Sequence, residues 1–393
     1  VIAPSELDSN ISSAANRLPS LRIYPVPPTA EIEKKWRSLE CRSDNSYFTS
    51  WSWIGCWLEC LPPRIRPLLA EFSVDGSPVG LAILIERKYR RHLLLPVSAV
   101  FLNSTGDAVL DHIRIEYNDL LCERGKAGLL RRLLVESMLT ANSQIEELVV
   151  DGTLASADWA EELPPNVAVR RNEDIGRSVD LDAVRTCGDY LSLLSPNTRS
   201  NVRRSHRDMA KLGTISLKVA DSLSSARSMY STLQVLHNKY WSSRGHPGAF
   251  ANPFHRSFHA QLIERHFMDG EIQLVSMLVG EHVAGVLYNF VYRGHVYSYQ
   301  SGFDYDFAGK QCRPGLVAHS LAIAHNAAAG NLTYDFMAGD SQYKRSLATK
   351  ETAIHWITLQ RNSFKFRLEN WLRQQRRRWR NWSARSDGSS ATP

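Results

Sequence analysis

The period of the apolar positions changes repeatedly along the 393 residues, and the changes divide the chain into two stretches of similar make-up. In the first, the apolar run at 21–26 lies among Pro19, Pro25, Pro27 and Pro28. Proline donates no ladder hydrogen bond, so this predicts an edge strand. A helix is expected over 30–40. The aromatic run Tyr47-Phe48-Thr49-Ser50-Trp51-Ser52-Trp53 then leads into Ile54, Trp57, Leu58 and Leu61 at helical spacing, which predicts a helix pinned onto a sheet. Strand patterns at 68–74 and 79–86 flank Asp75-Gly76-Ser77-Pro78, the chemistry of a hairpin turn. A helix over 126–141 and strands at 145–150 and near 178–181 close the stretch at about residue 185, with polar loops at 152–165 and 171–176.

The second stretch opens with Ser195-Pro196, an N-cap and first-turn pair, and a helix over 197–212 that Gly213 ends. Arg199, Arg203, Arg204, His206, Arg207 and Lys211 leave it only Val202, Met209 and Leu212 as an apolar stripe, so it reads as a wet, basic helix. Helices at 225–241 and 255–268 follow. The pattern then becomes period two at 272–279, 283–292 and 295–301, an antiparallel meander turned at Gly280-Glu281-His282 and Arg293-Gly294. After a loop at 302–313, Pro314-Gly315 starts a helix that stops at Gly330, and strands at 332–337 and 354–360 complete the series.

The length suits two cores, and no stretch approaches the roughly 18 uninterrupted apolar residues of a membrane span. Residues 1–16 lack the basic start and apolar run of a secretory signal, and six cysteines without a CxxC pair suggest neither a disulfide framework nor a zinc site. A reducing, cytoplasmic setting is expected, with no metal. The formal charge of +7 is local: residues 361–393 hold nine Lys/Arg against Glu369 and Asp387, which equals the whole excess. The remaining chain is balanced, which argues against a polyanion-binding body.

The order of elements resembles the GNAT acyltransferase fold. Arg199-Ser200-Asn201-Val202-Arg203-Arg204, Gly302-Phe303-Asp304, Arg313-Pro314-Gly315-Leu316, Tyr334-Asp335-Phe336 and Gly339-Asp340-Ser341-Gln342-Tyr343-Lys344 together resemble the cellulose-biosynthesis-type (CelD/BcsL) acetyltransferase family over about 197–360. That family is similar to the Fem-type peptidoglycan aminoacyltransferases, which use aminoacyl-tRNA. The resemblance implies an α/β (α+β) protein of tandem GNAT-like domains, each a mixed, mostly antiparallel sheet flanked by helices. A degenerate domain is expected at 1–185, a catalytic one at 186–360 and a tail at 361–393.

The same resemblance implies acetyl-CoA or another acyl-CoA as co-substrate. Ser301, Gly302, Phe303, Arg313, Gly315 and Leu316 are its expected contacts, since a helix N-terminus beside an arginine suits a pyrophosphate. The loop at 309–315 has less glycine than the usual GNAT signature, which leaves room for a donor on an acyl carrier. Tyr343 is expected as the acid that protonates the departing thiolate, with Asp340, Asp335 and His237 as further catalytic candidates. Arg199 and Arg203 suit a phosphorylated acceptor, with Trp241 and Lys344 beside it. Ordinary structural roles compete at each position: a solvated face for the arginines, a loop anchor for Asp335, a surface ion pair for Lys344 and a packed imidazole for His237.

The expected activity is transfer from a thioester to an amine or hydroxyl of a sugar, amino-sugar or other small acceptor in envelope or exopolysaccharide assembly. The alternatives are a Fem-type transferase, against which no helical-hairpin insertion is found between Tyr190 and Arg361, and a non-catalytic binding protein. In the tail, Phe364, Phe366, Leu368, Trp371, Leu372, Trp379 and Trp382 interleave with Arg373, Arg376, Arg377, Arg378 and Arg380. This pattern suits contact with the inner membrane surface, docking of the aromatics on the protein with the arginines left wet, or contact with nucleic acid if the donor is a charged tRNA.

Overall fold

The computed structural model describes residues 18–371 apart from 92, 93, 143, 162, 308, 310 and 311. The strands of the first half are β1 (Ser20–Pro25), β2 (Leu68–Val74), β3 (Ser77–Arg91), β4 (Leu95–Leu102), β5 (Leu121–Cys122), β6 (Glu147–Thr153) and β7 (Val167–Asp180). Those of the second are β8 (Ile215–Val219), β9 (Ile272–Val279), β10 (His282–Tyr292), β11 (His295–Phe303), β12 (Thr333–Ala338) and β13 (Lys350–Arg361). The helices are α1 (Thr29–Glu40), α2 (Trp51–Cys60), α3 (Ala127–Glu136), α4 (Ser156–Ala160), α5 (Leu181–Cys187), α6 (Pro196–Ala210), α7 (Leu223–Ser242), α8 (Pro253–His266), α9 (Pro314–Ala328) and α10 (Gln342–Leu347).

Local chemistry accounts for most boundaries. Asp75 and Gly76 take left-handed φ of 51° and 78°, the hand a tight hairpin between right-twisted strands requires. Ser195 caps α6 by accepting the Thr198 N–H at 3.2 Å, with Pro196 in its first turn. Residues 171–176 are a correction: they belong to β7, antiparallel to β13 from Ser178 to Val167. Their charges had read as a loop because this strand turns Arg171, Asn172 and Glu173 to solvent, while β13 supplies the apolar Ile354, Ile357 and Leu359. Neither β4 nor β8 was predicted.

The two expected sheets run into one another. A single 13-stranded sheet has the order β1-β2-β3-β4-β6-β13-β7-β12-β11-β10-β9-β8, with β5 on β3. The last strand of the second half, β13, is thus seated between β6 and β7 of the first. Two pairings are parallel, β4 with β6 and β11 with β12; each holds for three residues only, after which the strands part. The core follows the same logic. One cluster surrounds α9 and another α3, but the largest is shared, with Trp36, Phe48 and Trp53 packed against Phe258, Phe290 and Tyr297.

Residues 364–371 are helical, and Phe366 is buried against Val97, Ala99 and Phe101 while Arg91 holds Glu369 at 3.0 Å. The start of the tail therefore docks on the first half. The rest of its basic aromatic pattern, from Leu372 onward, lies outside the described residues. No described helix is long and apolar enough to cross a membrane.

Phe48 is fully buried, with ring centroids 4.8 Å from Trp53 and 5.6 Å from Tyr297. Phe48→Ala is expected to cost about 3–5 kcal/mol. Because the cluster joins both halves, calorimetry should show one cooperative transition moving to lower temperature; two separated transitions would contradict a shared core.

Candidate active site between two splayed strand pairs

Parallel pairing of β11 with β12 covers His295↔Thr333 to Tyr297↔Asp335, and the wedge that opens beyond it is the largest cavity described, about 1000 Å³. The pairing of β4 with β6 covers Ala99↔Glu147 to Phe101↔Val149, and beyond it lies a second cavity of about 370 Å³. The two halves thus repeat one device. Arg114, Glu116 and Ala338 line both cavities, so the wedges meet at these residues.

The end of β12 is irregular where they meet. Pairing with β7 slips between Asp335 and Ala338, and Met337 takes a left-handed φ of 62°, a costly conformation for a side chain other than glycine. The Met337 N–H donates to Asp335 Oδ1 at 2.6 Å, which holds this turn. The turn presents the Ala338 N–H to Glu116 Oε2 at 2.8 Å and the Met337 and Ala338 carbonyls to Lys344 Nζ at 3.2 and 2.6 Å. A carboxylate of the first half and an ammonium of the second are thereby fixed on one stretch of backbone.

Burial disfavours the charged form of both groups. It pushes Glu116, only 6% exposed, up to about 7, with the Ala338 hydrogen bond opposing the rise. It lowers Lys344, against the pull of Glu116 and Asp335. Glu116 itself is seated by Gly152, whose φ is 67°: a Cβ there would come within 2.7 Å of the Ile115 carbonyl oxygen and 2.9 Å of Glu116 Cα. Its neighbour Tyr117 donates to Asp335 Oδ2 at 2.6 Å and so ties the segment to β12.

Of the expected donor contacts, Ser301, Gly302, Phe303, Arg313, Gly315 and Leu316 all line the large wedge. Gly302 has a packing reason as well, since a Cβ there would lie 3.0 Å from the His237 nitrogen and the Leu233 carbonyl oxygen of α7. The first turn of α9 has no side-chain cap, and Arg313 stands at its N-cap. Tyr343, Lys344 and Trp241 line the same wedge. Tyr343 stacks on His319 with centroids 5.3 Å apart, and burial raises its hydroxyl so that it keeps its proton at neutral pH.

Four other expected residues are placed differently. Asp335 does not line the wedge; Tyr117, the Met337 N–H and His295 Nε2 at 2.9 Å occupy its carboxylate. Asp340 lies outside it too, between Arg177 at 3.0 Å and Arg345 at 2.5 Å. Arg199 and Arg203 face a separate cavity of about 720 Å³ between α6 and α9. His237 does line the wedge, but both its ring nitrogens are engaged by backbone, Nδ1 with the Ser301 carbonyl at 3.3 Å and Nε2 accepting the Ala249 N–H at 3.2 Å. Burial lowers its pKa, so the ring stays neutral and braces the wall.

Sequence reading missed Glu116 and His319. His319 is buried, held through Nδ1 by Tyr334 at 3.0 Å and pushed down to about 3, with no partner for Nε2 among the described residues. The one signal for Glu116 was a carboxylate within the apolar alternation Ile113, Ile115, Tyr117.

Comparison with known proteins bears on the domain and the fold. Residues 196–345 match the family described as acetyltransferase (GNAT) domain. The fold is similar to that of FemX, with a TM-score of 0.55 at 10% identity over 85% of this chain and 96% of that one. It is also similar to the C-terminal domain of a putative lysylphosphatidylglycerol synthetase from Agrobacterium fabrum, with a TM-score of 0.51 at 10% identity over 88% and 95% of the two chains. A conserved protein of unknown function from Bacteroides thetaiotaomicron gives a TM-score of 0.51 at 8% identity over 87% and 100%. No curated protein matches the sequence.

The raised carboxyl has a consequence for stability. An unfolded Glu116 loses its proton near its ordinary value of 4.5 and the folded one near 7, so the folded state binds the extra proton between them. The stability this contributes is complete below about 4.5 and is lost as pH rises through about 7. Glu116→Gln should therefore gain on the native protein by roughly 2–3 kcal/mol between about pH 4 and pH 8 in urea titrations. A constant difference across that range would show that the carboxyl titrates normally.

Proposed function

We propose that this chain, a GNAT-type acyltransferase by the domain it carries, moves an acyl group from a phosphopantetheine thioester, acetyl-CoA or a longer acyl-CoA, to an amine of a small or sugar-linked acceptor. The reading is carried by the paired placement of Glu116 and Lys344 on the backbone of residues 337–338, where the two wedges meet. A donor arm fits the wedge between β11 and β12, with its phosphates at the uncapped start of α9 beside Arg313.

In this scheme the acceptor enters through the smaller wedge. Asp111, Asp151 and Asp174 line it beside Trp53, Trp57 and Trp356, and burial next to Asp111 pushes Asp151 up to about 6. Carboxylates held against aromatic walls favour a cationic amine over a neutral hydroxyl. Glu116 takes the proton from the amine, whose lone pair then attacks the thioester carbon. Lys344, already oriented by two carbonyls, stabilises the oxyanion. As the C–N bond replaces the C–S bond, Tyr343 supplies a proton to the thiolate, and the surplus proton left on the attacking nitrogen passes through solvent to restore the Tyr343 hydroxyl.

The motifs at 197–360 that resemble the cellulose-biosynthesis-type acetyltransferases are the ground for a sugar-linked amine as acceptor. A Fem-type transfer from aminoacyl-tRNA would use the same proton path, so the donor is the point to test.

Calorimetric titration with acetyl-CoA and a longer acyl-CoA is expected to show binding that Arg313→Ala weakens. Glu116→Gln should lower kcat/KM by about 10²–10⁴ and abolish the rise of rate through about pH 7 that a buried base produces. Tyr343→Phe should lower kcat with little change in KM. Binding of no thioester, alongside transfer from aminoacyl-tRNA, would replace the CoA reading with the Fem-type one.

A further inference from the structure

We infer that the outer face of α6 is the docking surface for an acidic, helical carrier protein that presents the acyl thioester on its own phosphopantetheine arm, an inference that rests on the thioester reading above. Arg203, Arg204, His206, Arg207 and Lys211 are exposed along this helix, and Arg199 is half-buried beside them. Asp189, 3.6 Å from Arg203, and Asp208, 2.7 Å from Lys211, are the acidic groups paired with them. Arg199 and Arg207 form no ion pair among the described residues. The chain outside the tail is electrically balanced, so this is a local concentration of positive charge with a matching demand for negative charge.

The helix also lies at the mouth of the donor wedge. Its inward Ser205 accepts the Arg313 N–H at 3.2 Å, and Cys312 Sγ lies 3.8 Å from the Ser205 carbonyl. A partner seated on α6 would therefore deliver its arm at the start of α9, where the arm's phosphate meets Arg313. The cavity of about 720 Å³ between α6 and α9 has basic walls and an aliphatic floor of Leu191, Val202, Val317 and Leu321. Such a floor receives the apolar edge of a helix, whereas bases call for aromatic platforms.

The test compares one acyl group carried by acyl carrier protein, by CoA and by pantetheine, in the full chain and in Arg204→Glu/Arg207→Glu. The variant is expected to lower kcat/KM for the carrier-borne donor by about tenfold or more and to leave the pantetheine-borne donor unchanged, with Arg204→Lys/Arg207→Lys restoring most of the loss. About 1 M salt should reproduce the defect in the native protein. Equal loss for all donors would overturn the inference, as would transfer from CoA with the carrier inert. Transfer RNA binding that the variant abolishes, with the carrier inert, would assign the surface to RNA instead. If no thioester in any form acylates an amine, the underlying reading fails, and this one fails with it.

Discussion

The left-handed turn at Met337 is the constraint on which the rest of the site depends. A regular β12 would continue its pairing and bury the Ala338 N–H and the 337–338 carbonyls in the ladder. The slip after Asp335 instead frees them to hold Glu116 and Lys344. Left-handed backbone at a methionine costs on the order of 1–3 kcal/mol, so something must hold it. Asp335 does so, accepting the Met337 N–H on one oxygen and the Tyr117 hydroxyl on the other. Its carboxylate acts through the backbone that it shapes and through the segment that it anchors.

The shared sheet makes this arrangement possible. Glu116 comes from the first half and Lys344 from the second; two separate domains hinged on a linker would let the pair drift. The insertion of β13 between β6 and β7, and the aromatic cluster common to both halves, remove that freedom. Gly152 adds a close limit, because only a residue without a Cβ leaves room for the backbone of Ile115 and Glu116. Glu116 is thus located by a strand, a glycine and a tyrosine anchor, of which Gly152 and Tyr117 line neither wedge.

The sequence was most legible where local chemistry decides the structure. The cap Ser195-Pro196, the turn Asp75-Gly76 and the meander from 272 to 303 can be read directly, because each is fixed by residues within a few positions of one another. Likewise Ser301 to Phe303 and Arg313 to Leu316, which line the large wedge, lie on consecutive elements of one half. Glu116 was illegible because nothing near it in sequence explains it: its partners are Ala338 and Lys344, more than 200 residues away. Residues 171–176 were misread for the same reason, since β13 completes that strand from the far end of the chain.

Three of the catalytic candidates share one feature. Asp335, Asp340 and His237 are polar groups in the right region, and each has its charge or its lone pairs already taken by neighbours. A group so satisfied gains little from a substrate and would have to break existing bonds to act. Glu116 and Lys344 are hydrogen-bonded too, and burial works against their charged forms as it does for His237, but this pair alone of these groups is held on one stretch of backbone where the two wedges meet. The position of the pair is what favours the junction of the two wedges as the proposed reacting centre.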